Sequence, residues 1–148
     1  MLGSLLERAI ALACYAHDGQ KDKGGQPYIL HPIRAMLQMK DDTSRIVAVL
    51  HDAVEDSKGR VTLATLRDSY FSDLIVDAVD VLTRRKDEAY ESYITRIVLN
   101  PVALEVKIAD VRDNMDPTRQ LPESFQWLRT RYSKTLAFLE EARQIHGV

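Results

Sequence analysis

The sequence predicts an all-α fold in a single domain of about seven or eight helices. Apolar residues recur at helical spacing nearly throughout, and no alternating strand pattern of useful length occurs. Helix-starting and helix-stopping residues punctuate that pattern at short intervals. The 148 residues suit one domain with one sizeable core, taken as residues 1–148.

In the first segment Leu2, Leu5, Leu6, Ala9, Ile10, Ala13 and Cys14 follow the i, i+3, i+4, i+7 rule. Glu7 and Arg8 interrupt the apolar run, so this is an amphipathic helix and not a signal peptide. Cys14 is the one cysteine, which excludes a disulfide or a thiolate metal cluster. Its place on the apolar face predicts an inert core thiol. "HDGQKDKGGQPY" then holds three glycines and a proline and is a loop. Pro32 suits a first helical turn leading into "IRAMLQM".

"DDTS" offers N-caps for the next helix, which carries "LHDAVED" and ends at Gly59. Thr62 caps a short helix to about Tyr70, and Ser72 another to about Thr83. "DEAYESYITRIVL" is a further amphipathic helix. Asn100-Pro101 caps and opens "VALEVKIADVRDNM", which Pro117 closes. Pro122 opens the last helix, "ESFQWLRTRYSKTLAFLEEARQI". That helix packs on its own core or on a partner, so a homo-oligomer stays open.

The formal charge is -2 with acids and bases interspersed, which gives no basic footprint for nucleic acid. No apolar run approaches the ~18 residues of a membrane span. A cytoplasmic setting follows. His17, His146 and Trp127 read as structural or superficial residues.

"LHDAVED" places one histidine among three acids. At 100° per residue, Ala48, His51, Asp52, Glu55 and Asp56 form a polar stripe beside the apolar Ile46, Val47, Leu50, Ala53 and Val54. The plain alternative is a solvated helix face with an ion pair. In "ALEVKIADVRDNM" the helix is apolar over most of its circumference, as a buried helix is. Yet Lys107, Asp110 and Asn114 share one edge, within about 60°. Either Lys107 and Asp110 form a private salt bridge, or Asp110 faces the His51-Asp52 stripe across a metal. His31, in "PYILHPI", stands at a loop-to-helix junction; alone it reads as a capping or surface histidine. Together His31, His51, Asp52 and Asp110 offer two imidazoles and two carboxylates. Such a set suits Mn²⁺, Fe²⁺ or Zn²⁺.

These residues in the order H…HD…D resemble the HD-domain metal-dependent phosphohydrolases. The resemblance is closer to the hydrolase domain of RelA/SpoT-type proteins and the free-standing small alarmone hydrolases. Those enzymes remove the 3′-pyrophosphate from (p)ppGpp, the alarmone of the stringent response. The strings "AHDGQKDKGGQPYILHP", "VAVLHDAVED", "VDVLTRR" and "VKIADVRDNM" carry it, from about Ala16 to Met115.

The resemblance implies a helical bundle with a Mn²⁺ site between helices, held by His31, His51, Asp52 and Asp110. It implies that Glu55 and Asp56 position or activate the attacking water. Lys21 falls where the family has a basic residue after "GQ". With Lys23 it brings positive charge to phosphates, while Gly24 and Gly25 let backbone approach. Asn114 matches an asparagine that contacts the nucleotide, and Tyr132 a tyrosine near the ribose. Lys107 is placed with these substrate-binding residues.

The last motif departs from the common "DRLHN": Val111 replaces an arginine and Asp113 stands where a histidine is common. Asp22 sits in the usually basic loop. One alternative is therefore an HD hydrolase of another nucleotide or phosphoester, such as a nucleoside phosphate or NADPH; a further one, of another class, is a non-catalytic helical binding module. A hydrolase alone is implied, without synthetase or regulatory domains.

Overall fold

Most helices begin where the sequence supplies a side-chain cap. The computed structural model describes residues 3–119 and 121–146. Leu2 of the first apolar pattern lies outside the described residues. Ser4 and Glu7 make a reciprocal capping box for α1 (Leu5–Ala16). After the loop comes α2 (Leu30–Leu37), then α3 (Asp42–Leu50), whose Asp41 side chain accepts from the Ser44 N–H. Thr62 caps α4 (Leu63–Asp68) and Ser72 caps α5 (Asp73–Leu82). These are followed by α6 (Tyr90–Val98) and by α7 (Pro101–Asn114), which Asn100 caps and Pro101 opens. A short 3₁₀ turn (Glu123–Phe125) precedes α8 (Trp127–Ile145). No strand occurs among the described residues; Lys21 and Pro27 form one isolated antiparallel bridge in the loop. No helix of the described residues is long and apolar enough to cross a membrane.

α7 is the centre. It touches α2, α3, α5, α6 and α8, which is why it is apolar over most of its circumference. Leu104, Val106, Ile108, Ala109 and Val111 are all buried there. α1 and α2 pack on α3, through alanines 9, 13, 16, 35 and 48, whose small side chains let the backbones approach. α8 packs on α7 and α6 and buries Leu128, Thr135, Leu139 and Ala142.

Four local expectations need correction. α3 stops at Leu50 and does not continue to Gly59; residues 51–55 are successive turns and 56–57 a bend. The cause is His51, whose ring Nδ1 lies 2.5 Å from the Ala48 carbonyl oxygen and whose backbone N–H reaches the same oxygen at 3.4 Å. In a continuing helix that carbonyl would accept from Asp52. Gly59, at φ 84°, instead turns the chain toward Thr62. α6 starts at Tyr90, because Asp87 has φ 64° and cannot be helical. Pro122 opens the 3₁₀ turn and not α8 itself. Cys14 is exposed. The buried face of α1 is Ala9, Ala13 and Ala16, and Cys14 stands about 100° round from Ala13, so the apolar stripe is wider than the contact.

Leu104 is 1 % exposed and Leu99 is 76 % exposed. Leu104→Ala should cost about 2–5 kcal/mol, and Leu99→Ala within about 0.5 kcal/mol. Urea denaturation of both variants checks the pair.

Candidate metal centre

α2, the end of α3 and α7 bring four side chains to one point. His31 is the second residue of α2, and its backbone N–H bonds the Tyr28 carbonyl at 3.0 Å. Its Nδ1 lies 2.6 Å from Asp113 Oδ2 and its Nε2 lies 2.8 Å from Asp110 Oδ1. His51 is the C-cap of α3. A carbonyl only accepts, so the contact with Ala48 puts a proton on Nδ1 of His51 and turns Nε2 to the cluster. That Nε2 lies 3.1 Å from Asp52 Oδ2 and 3.5 Å from Asp110 Oδ1. It is buried without a partner in hydrogen-bonding geometry.

Asp52 Oδ2 accepts the Tyr28 hydroxyl at 2.5 Å and lies 3.7 Å from His31 Nε2. Asp110, on α7, accepts Lys107 Nζ at 2.8 Å and Asn114 Nδ2 at 3.2 Å. The Lys107–Asp110 salt bridge and the inward-facing Asp110 are thus both present, through different oxygens of one carboxylate.

The electrostatics follow from burial. Burial works to raise Asp52 and Asp110, yet both stay well below the usual carboxylate range. The imidazoles hold Asp52 down, and Lys107 followed by His51 hold Asp110 down. Burial likewise works to lower His31 and His51, yet their acidic neighbours hold both above the ordinary histidine range. The point where these groups meet demands positive charge. Ligand atoms of His31, His51 and Asp52 lie within 4.8 Å of one another. Two imidazoles, one of them with an unpartnered Nε2, and a carboxylate fit a divalent cation.

The cluster floors a cleft of about 360 Å³. Glu55 and Asp56 line one wall. Glu55 Oε1 accepts the Arg84 backbone N–H at 2.7 Å. Burial, then Asp52 and Glu55, push the Asp56 carboxyl up to about 7. Lys21 and Lys23 line the rim from the loop, with Lys23 Nζ 5.3 Å from the Phe125 ring centroid. Lys107, Asn114 and Tyr132 face the cleft from α7 and α8.

All eleven sequence-derived site residues thus lie in or against this cleft. Several participants have no sequence signal of their own. Tyr28 holds Asp52 from the loop, three residues before His31. Arg34 binds Asp113 through Nε at 2.7 Å. Arg119 lies beyond Pro117, where no periodicity applies, and still reaches the site. Arg131 stacks on Tyr90 at 3.5 Å from the ring centroid, and both line the cleft.

No family model matches the chain. It is 34 % identical over 141 residues to a probable GTP pyrophosphokinase of Mycobacterium leprae, covering 86 % of this chain and 18 % of that protein. It is 31 % identical over 125 residues to the guanosine-3′,5′-bis(diphosphate) 3′-pyrophosphohydrolase of Vibrio cholerae, covering 74 % and 17 %. The chain is a relative of the RelA/SpoT proteins. It spans less than a fifth of the length of these RelA/SpoT relatives. Its fold is that of a metazoan ortholog of SpoT that hydrolyses ppGpp, with a TM-score of 0.75 and 19 % identity over 99 % of this chain and 98 % of that one.

Tyr28→Phe removes the one hydroxyl on the half-buried Asp52 carboxylate. The variant should lose about 1.5–3 kcal/mol, as for a hydrogen bond to a charged group. A lowered urea midpoint at unchanged slope is the expected result.

Proposed function

We propose that the chain is a metal-dependent phosphohydrolase that removes the 3′-pyrophosphate of (p)ppGpp, giving GDP or GTP and pyrophosphate. One observation carries the reading: the unpartnered His51 Nε2 meets His31, Asp52 and Asp110 at the floor of a cleft rimmed with cations. The names of the Vibrio cholerae relative and of the metazoan fold neighbour support the substrate. The ligands are His31, His51, Asp52 and Asp110, and the ion is Mn²⁺, with Fe²⁺ or Zn²⁺ fitting the same donors. The same reading places the protein in the cytoplasm.

When bound, the ion supplies Lewis-acid stabilisation of the phosphoryl oxygens and lowers the pKa of water in the cleft. The remaining work belongs to the side chains. Asp113 holds the proton on His31 Nδ1 and so presents Nε2. Tyr28 fixes Asp52. Glu55, anchored on the Arg84 N–H, orients the attacking water. Asp56 accepts its proton, and a carboxylate raised toward neutrality is the better base for that step. Lys21 and Lys23 meet the charge of the leaving pyrophosphate. Asn114 and Tyr132 take the nucleoside side.

The acids that favour a different nucleotide, Asp22 and Asp113, are each paired with arginine. Their charge does not stand free against phosphates, which weakens the case for that alternative.

Two tests follow. Calorimetric titration with Mn²⁺ should give one site in the wild type and none in His51→Ala; equal affinity would refute the ligand assignment. Incubation with Mn²⁺ and ppGpp should release pyrophosphate and GDP. Glu55→Ala and Asp56→Ala should each lower kcat by about 10²–10⁴-fold, and a wild type inert toward ppGpp would sink the substrate.

A further inference from the structure

The two acids that depart from the family pattern are joined by one guanidinium. Arg119 reaches Asp22 Oδ2 at 3.2 Å, Asp113 Oδ2 at 2.9 Å and Asn114 Oδ1 at 3.0 Å. Asp22 in turn organises the cleft loop. Its Oδ1 accepts the backbone N–H groups of Gly24 and Gln26, both at 2.9 Å, and its own N–H bonds the Gln26 carbonyl at 2.8 Å. Asp113 accepts His31 Nδ1–H at 2.6 Å. A continuous path therefore runs from the loop through Asp22, Arg119 and Asp113 to His31, with no step longer than 3.2 Å.

The pairs on this path are largely enclosed: the side chains of Asp22, Asp113 and Arg119 are 10 %, 3 % and 20 % exposed. They are not the solvated surface pairs whose worth is near zero. The two carboxylates also differ in what they have besides Arg119. Asp113 keeps Arg34. Asp22 has no other cationic partner among the described residues.

We infer that Arg119 is a positioning residue. It ties the loop bearing Lys21 and Lys23 to the metal-centre histidine, and it neutralises an acid that would otherwise oppose an anionic substrate in the cleft. Without Arg119 the loop loses its anchor and Asp22 keeps its charge. Asp113 keeps Arg34 and its direct hydrogen bond to His31, so the damage falls on substrate binding more than on turnover. A lysine in place of Arg119 keeps the charge but not the planar fork that spans two carboxylates. The effect on substrate rests on the phosphohydrolase reading; the tether does not.

The test compares wild type, Arg119→Ala, Arg119→Lys, Asp22→Asn and the double variant Asp22→Asn/Arg119→Ala, all as full chains. Two quantities are read: the rate of tryptic cleavage after Lys21 and Lys23, and steady-state kinetics on ppGpp with Mn²⁺. Arg119→Ala should speed cleavage by about tenfold, the equivalent of one charged hydrogen bond. It should raise KM by about as much, with kcat within roughly threefold. Arg119→Lys should fall between it and wild type. Adding Asp22→Asn to Arg119→Ala should recover much of the KM without restoring protection from trypsin, whereas Asp22→Asn alone should not lower KM. Unchanged cleavage in both Arg119 variants overturns the tether. A double variant no better than Arg119→Ala overturns the charge role. If the wild type does not turn over ppGpp, the functional reading fails by itself. The inference is then judged on cleavage and on the affinity of the same proteins for pyrophosphate.

Discussion

Buried carboxylates set the terms of this structure. Asp52 and Asp110 are brought into a site where charge is costly unless matched. His31, His51 and Lys107 match it within 2.8 to 3.7 Å. These five groups come from α2, the end of α3 and α7, so the three must meet at a fixed distance. The alanines that line their contacts, and the central place of α7, serve that meeting. The other helices cover what the three leave exposed.

Much of this was legible in the sequence. The caps at Ser4, Thr62, Ser72 and Asn100 stand where side-chain chemistry requires them, because capping is local. The burial of α7 was legible because only a surrounded helix is apolar over most of its circumference. The meeting of His31, His51, Asp52 and Asp110 was legible because several unusual polar positions in buried segments needed partners, and each could be the other's.

What was not legible depends on competition or on distance. α3 ends early because one imidazole takes a carbonyl that the helix would otherwise use, and apolar periodicity does not register such a contest. Cys14 shows the converse limit: a stripe of apolar residues marks a face, while neighbouring helices decide how much of it is covered. Arg119 lies in a segment without periodicity, so only the folded chain places it beside Asp22. The same residues change meaning once seen together. Asp22 and Asp113, two unrelated oddities along the chain, become neighbours on one guanidinium.

The contact between His31 and Asp110 spans 79 residues of chain. Closing so long a loop costs entropy, which the packing of α2, α3 and α7 offsets. No short stretch of the chain holds the whole cluster. A fragment that stopped short of α7 would lack Lys107 and Asp110 and so carry only part of the centre.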